Sequence, residues 1–285
     1  MPFSVQDIPN LAGKTFVVTG GNAGLGYETK ANEAIAKITK VTPGAKIEFL
    51  ELKLNDLKQV DAAAKKLVSS GVIVDVLINN AGIFNTPFAL TSDGIEEQFG
   101  VNHVGHFAFT MALMPAILKS TEPRIVNVSS TSHTQAPKEG ILFDKLNDSS
   151  ALSSYQRYGQ SKLANILFTK SLHKRFGDRI YVNSANPGFT ATDVGQKQEN
   201  GIMKLVINNI LKPLFSATVL DGALTQIYLA CSTEIVEKGY KDGYFAPIAD
   251  KKRGEKELSA LGRNEDLAEK LWQFTENLVK EKIAA

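Results

Sequence analysis

The sequence is short of several things, and each shortage excludes a class of protein. It has one cysteine, Cys231, among 285 residues. Neither an internal disulfide nor a cysteine zinc cluster can form, and a reducing, cytoplasmic setting fits. Charge of either sign is not in excess: 32 basic residues stand against 30 acidic ones, a net +2. That leaves no electrostatic footprint for nucleic acid. Long apolar runs are missing too. The most apolar stretch, Phe107 to Leu118, is far short of the ~20 residues that span a bilayer, so no membrane span is expected. The opening MPFSVQDIPN lacks a basic start and an apolar stretch, so no signal peptide is expected. Repeats and low-complexity linkers are also absent. What is present is ordinary globular composition, 43% hydrophobic and 22% charged, which excludes a disordered or fibrous chain.

Short β-branched runs alternate with longer helical patterns. Strands are expected at Thr15 to Thr19, Lys46 to Leu52, Ile73 to Ile78, Arg124 to Ser129, Ile180 to Ala185 and Gly243 to Pro247. Helices are expected after the first strand to about Ile38, then Asp56 to Val68, Gly94 to Leu118, Ser153 to Phe176, Gly222 to Cys231 and Asn264 to Ile283. Asp56 fits an N-cap. Runs of this kind in alternation predict an α/β fold, a Rossmann-type doubly wound parallel sheet with helices on both faces. At roughly 150 residues per domain two domains would be expected, but no linker divides the chain, so a single domain over 1–285 is expected. The segment of about 190–217 contains GIMKLVINNILKPLF. It reads either as a surface helix or as a substrate lid, since it lies past a strand end where such sheets place ligands.

After the first strand comes TGGNAGLG, Thr19 to Gly26. Its missing side chains let the backbone approach a pyrophosphate, and the helix that follows points its positive N-terminus at the same place. A glycine-rich turn alone is weak evidence; following a strand and opening a helix is the context that favours a dinucleotide over a bland turn. Tyr158 and Lys162, in YGQSK, are four apart and share a helix face. A phenol ionises near ~10, and a neighbouring ammonium lowers that value, so Tyr158 can serve as general acid or base at a carbonyl oxygen. Chance supplies about 0.6 such pairs in a chain of this composition, so the pair alone reads as a surface pair. Ser129 and Ser130 end RIVNVSS and in isolation read as turn or cap residues.

Glycine loop, NNAG, VNHVGHF, RIVNVSS, YGQSKLANILF and NPGFTAT occur in that order. Together they resemble the short-chain dehydrogenase/reductase family, over nearly the whole chain. SKLANILFT, Ser161 to Thr169, looks like the branch of retinol dehydrogenases, protochlorophyllide reductases and their fungal relatives. The resemblance implies an NAD(P)-dependent oxidoreductase, a carbonyl reductase or alcohol dehydrogenase, with a lean to NADP(H) over NAD(H). It implies Tyr158 as general acid/base, Lys162 lowering its pKa and holding the nicotinamide ribose, Ser130 orienting the substrate oxygen, and Asn102 supporting a water-linked relay to Lys162. Around the cofactor it implies Gly20, Asn22, Gly24, Leu25 and Gly26 at the pyrophosphate and adenosine ribose. Asn80, Ala81 and Gly82 follow the third expected strand, Pro187, Gly188 and Thr192 hold the nicotinamide end, and Leu54 gives a backbone contact near adenine. A small apolar carbonyl or alcohol is the implied substrate, and a homodimer or homotetramer through the helices of Asn102 and Tyr158 is the implied assembly. Of the histidines, His103 and His106 read as structural. His133 reads as a solvated loop residue or as lining the substrate pocket, and His173 lies on a charged helix. No metal site stands out. A non-catalytic nucleotide-binding redox sensor of the same fold is the alternative.

Two departures from the family stand out. Lys53 stands where relatives carry an aspartate near adenine. More seriously, the connection from the glycine loop to KIEFLEL is short by about one strand of ~5–6 residues and most of a helix. The join falls near Thr29 and Lys30, and the absent strand normally ends in the residue that separates NAD from NADP. Either the deletion is true, or a stretch is missing from the sequence as written. The second is favoured, because a hole in the sheet would expose backbone groups. The intact mass decides between them.

Overall fold

The computed structural model describes residues 3–21, 27–42, 44–188 and 219–284. Within them five parallel strands lie side by side in chain order. They are β1 Phe16–Val18, β2 Val76–Asn79, β3 Arg124–Val128, β4 Tyr181–Ala185 and β5 Tyr244–Phe245. Each expected strand but one is therefore present, with its bounds shifted by up to three residues. Every residue of β2 and β3 is buried, as strands covered on both faces must be.

The described helices are α1 Tyr27–Val41, α2 Leu57–Ser69, α3 Glu97–Phe99, α4 Gly105–Ile117, α5 Ser154–Phe176, α6 Val219–Cys231, α7 Glu234–Glu237, α8 Lys251–Glu257 and α9 Glu265–Ala284. Asp56 does cap α2, its carboxylate accepting from the Gln59 N–H at 3.1 Å. Ser153 and Gln156 form a capping box on α5, which fixes where the long helix begins. The helix expected over Gly94 to Leu118 is not continuous. A wider π-helical turn, Gly100–Val104, joins α3 to α4 and carries Asn102. Such turns insert one extra residue and re-aim what they carry.

Alternate residues of each strand face opposite layers. Leu77, Ile125 and Val182 join the core beneath α2, α4, α5 and α9, while Val76, Ile78, Val126 and Val128 meet Tyr228 and Leu229 of α6 and Ile235 of α7 on the other face. The outer side of α4 and α5 is itself covered. Trp272 of α9 stacks its ring 4.9 Å from Phe107 and 6.0 Å from Phe168, and the Arg175 guanidinium lies 4.2 Å over it. Ser171 donates to the Ala268 carbonyl at 2.9 Å, Arg175 pairs with Glu269 at 2.7 Å, and His103 meets the Thr275 hydroxyl at 3.0 Å. Asp75 fixes the start of β1 and β2. It accepts from the Thr15 N–H at 2.9 Å, the Ser120 hydroxyl at 2.7 Å and Lys14 at 3.3 Å.

The exception is Lys46 to Leu52, expected as a strand and found without strand pairing. A strand needs a neighbour for its backbone groups, and the strand that would stand between this segment and β1 is the one the chain lacks. Instead of a hole, the sheet ends at β1, where Val18 is 50% exposed. Helix α1 runs unbroken through Thr29 and Lys30.

Candidate active site

The expected site residues converge at one edge of the sheet. Gly20 follows β1, Asn80, Ala81 and Gly82 follow β2, Ser130 follows β3, and Pro187 and Gly188 follow β4. The carboxyl ends of parallel strands are where open α/β sheets bind ligands. Tyr158 and Lys162 reach the same place from the first half of α5. Asn22, Gly24, Leu25, Gly26, Thr192 and the expected lid of about 190–217 lie outside the described residues.

Thr19 organises the cofactor side. Its hydroxyl accepts from the Asn80 N–H at 3.0 Å and the Ala81 N–H at 2.9 Å, and its carbonyl accepts from the Asn80 side chain at 3.0 Å. His106 is 2.8 Å from the same hydroxyl through Nε2 and 2.9 Å from the Asn102 carbonyl through Nδ1. A carbonyl can only accept, so Nδ1 carries the proton and Thr19 donates to Nε2. One buried chain thus runs from the end of β1 to the backbone of Asn102. The Asn102 side chain spends both amide hydrogens and one lone pair within the fold. It accepts from the Ile83 N–H at 2.8 Å and donates to the Ile83 carbonyl at 3.0 Å and the Ser161 hydroxyl at 2.9 Å. Gly82 stands between the two halves. A methyl there would lie 3.2 Å from Asn102 Oδ1 and 3.4 Å from Lys162 Nζ.

Lys162 is 4% exposed, and burial brings its pKa down to about 8. It donates to the Val128 carbonyl at 3.1 Å; its two further N–H donors have no acceptor among the described residues. A buried ammonium with spare donors and no carboxylate partner fits the hydroxyls of a ribose. Tyr158 departs from the expectation. Burial pushes its pKa up to about 12, and the Ser130 hydroxyl is what lowers it. Nζ of Lys162 stands 5.6 Å from the centre of the Tyr158 ring. Desolvation of a phenolate is the largest influence on the group, and the phenol holds its proton at neutral pH. The Phe84 ring meets Tyr158 edge-on at 4.6 Å and Tyr155 at 6.0 Å, so the phenol has an aromatic wall.

Leu54 is a core residue, 8% exposed, and Lys53 is paired with Glu51 at 3.3 Å on the surface. His103 and His106 are both 1% exposed, as structural residues would be. His133 matches neither expectation: it is fully buried, and both ring nitrogens are spent on backbone groups, so it is neither solvated nor a pocket wall.

Gly159 is a residue the motif reading passed over. The 3₁₀ turn Thr131–Gln135, which follows Ser130, packs on it so closely that a methyl would lie 2.7 Å from the Ser132 carbonyl and 2.9 Å from the Ala136 nitrogen. Only a missing side chain lets the Ser130 turn lie beside Tyr158. Gly159→Ala is expected to cost about 1–3 kcal/mol in urea unfolding.

The comparisons agree with this geometry. The model of the short chain dehydrogenase family matches residues 14–143. Retinol dehydrogenase 14 of Mus musculus is 35% identical, over 94% of this chain and 86% of its own length. A short-chain dehydrogenase/reductase of Aspergillus calidoustus is 32% identical, over 99% of this chain and 98% of its own. The crystal structure of an uncharacterized protein from Mycobacterium paratuberculosis superposes with a TM-score of 0.69 at 29% identity, covering 98% of both chains. With the parallel sheet, the strand-end site and these relatives together, the chain belongs to the short-chain dehydrogenase/reductase family, on its retinol dehydrogenase-like branch.

Proposed function

We propose that this chain interconverts a carbonyl and an alcohol on a small apolar molecule, with NADP(H) ahead of NAD(H) as its cofactor. The observation that carries the reading is the meeting of Ser130, Tyr158 and Lys162 beside Phe84 at the strand ends. The nicotinamide, when bound, supplies or takes the hydride. The protein does the rest. Lys162 offers its spare donors to the ribose, and Ser130 and Tyr158 hydrogen-bond the substrate oxygen. Tyr158 gives that oxygen a proton in reduction and recovers one in oxidation. The aromatic wall of Phe84 and Tyr155 favours an apolar substrate. NADP(H) preference rests on branch likeness alone, because the strand that would carry the discriminating residue is not in the chain.

In this reading the chain acts as one nucleotide-binding domain over 1–285, with about 190–217 as its lid, in the cytoplasm. Among the described residues no helix is long and apolar enough to cross a membrane. A homodimer or homotetramer would have to form away from the outer side of α4 and α5, which α9 covers.

Calorimetric titration with NADPH and then NADH tests the cofactor side, followed by a screen of aliphatic, aromatic and retinoid aldehydes with the tighter binder. Saturable binding, tighter for NADPH, and turnover of an apolar aldehyde are expected. A folded sample that binds neither nucleotide overturns the reading.

A further inference from the structure

The turn that carries Ser130 is pinned by a side chain the proposed chemistry does not use. His133 lies in that 3₁₀ turn and is fully buried. Its Nδ1 is 2.7 Å from the Ser130 carbonyl oxygen, and its Nε2 is 3.1 Å from the Ser259 nitrogen, in the segment after α8. A carbonyl only accepts and a peptide N–H only donates. Nδ1 therefore bears the proton and Nε2 the lone pair, which makes the ring a neutral imidazole of one tautomer. The main-chain N–H of His133 donates to the same Ser130 carbonyl at 3.1 Å. That carbonyl thus takes two donors from one residue, and its peptide plane is fixed. The Ser130 hydroxyl accepts from the Ser132 N–H at 3.1 Å, which leaves its proton and one lone pair for the site. From β5, the Tyr244 ring closes edge-on over the imidazole at 5.2 Å. From α8, the Glu257 carboxylate is the charged group that acts on it.

We propose that His133 is a positioning residue for Ser130. It ties the Ser130 peptide to the Ser259 segment and the Tyr244 wall, so that the hydroxyl stays aimed at the Tyr158 phenol. The role rests on the reading of Ser130 and Tyr158 as the pair that handles the substrate oxygen. It joins the carboxyl-terminal part of the chain, far from the motifs, to the reacting groups.

The test uses the full chain and three variants. In ¹⁵N side-chain NMR of the wild type, His133 is expected to show a protonated Nδ1 and a bare Nε2 at pH 7; the opposite tautomer, or exchange between the two, overturns the proposal. His133→Ala is expected to lower kcat for the best aldehyde about tenfold, with KM and the NADPH Kd within about threefold of wild type. His133→Asn keeps a donor for the Ser130 carbonyl and is expected to recover most of that loss. Ser259→Pro replaces the N–H that Nε2 accepts from with the proline Cδ, which crowds the imidazole off that contact, and it removes the hydroxyl that accepts from the Gly262 N–H at 3.1 Å. The preceding Leu258 is already extended (φ −67°, ψ 120°), as a residue before proline must be, so the backbone admits proline; the variant, with its fold checked by NADPH affinity, is expected to lower kcat with KM unchanged. Variants that fold and keep wild-type kcat overturn the positioning role alone. Variants whose NADPH affinity falls in step with kcat also overturn it, because that pattern marks general loss of structure. A wild-type protein that binds NADPH and reduces no aldehyde overturns instead the reading on which the role rests.

Discussion

Tyr158→Phe is expected to lower aldehyde reduction by about 10²–10⁴-fold, the usual worth of a positioned proton donor. Affinity for NADP(H), measured by calorimetry, is expected to stay within about threefold, since the ring and its contact with Phe84 remain. The size of the effect follows from the environment of the hydroxyl. Burial holds the Tyr158 pKa at about 12, so at neutral pH essentially every molecule carries the proton that reduction needs. The Ser130 hydroxyl favours the phenolate left behind once that proton has gone. The same burial works against oxidation, which must begin by removing the proton. Retention of more than about a tenth of wild-type turnover would mean that another group, or water, delivers the proton.

Acid is expected to destabilise this protein steeply from about pH 6.5 downward, before most carboxylates titrate. His103 and His106 are completely enclosed, and burial brings their pKa values down to about 3 and about 4. Each is neutral in the folded chain and takes up a proton near pH ~6.5 once unfolded. Below that pH the unfolded chain binds more protons, so stability falls with falling pH, by about 1.4 kcal/mol per unit and per histidine until the folded value is reached. Above pH ~6.5 both states are neutral and the contribution is flat. Between pH 6.5 and 4.5 the two residues together are expected to remove roughly 5 kcal/mol, against a total stability of ~5–15 kcal/mol for a typical domain. His133 is shifted in the same direction, also by burial. Trp272 is the only tryptophan, and it is buried between Phe107 and Phe168. Its fluorescence in urea titrations at stepped pH reads the effect directly. A midpoint unchanged from pH 7 to 5 would mean that the imidazoles accept protons within the fold.

Both results depend on enclosure, and enclosure is what the sequence could not display. The tyrosine–lysine spacing predicted a phenol made acidic by its ammonium. In the folded chain Nζ turns to the Val128 carbonyl at 3.1 Å, and desolvation of the phenol dominates. The spacing of four residues fixes a shared helix face, but it does not fix what covers that face. The histidines follow the same logic. His103 and His106 follow Asn102 in the motif and His106 meets the Asn102 carbonyl, yet their side-chain partners, Thr275 and Thr19, are distant in the chain.

The elements themselves were legible wherever local pattern decides them. Asp56 and Ser153 cap helices at the places their side chains mark. RIVNV and YVNSA are strands because two faces of apolar cover are written into them. KIEFLEL carries the same strand pattern and has no strand pairing, since a pattern supplies side-chain alternation and only a neighbour supplies hydrogen bonds. The break between α3 and α4 at Gly100–Val104 was equally hidden; Asn102 needed a backbone bent by contacts from Ile83 and Ser161.

By itself, then, the sequence determined the strand-and-helix alternation, the family, and the identity of the residues gathered at the strand ends. These follow from periodicity and motif, which are properties of neighbouring residues. Only the tertiary structure decided that burial raises the Tyr158 pKa, that Gly159 admits the Ser130 turn, that His133 is spent on Ser130 and Ser259, and that α9 seals the outer side of α4 and α5. Each of these depends on what excludes water from a group and which distant backbone atom faces it, and both are set when the chain closes on itself.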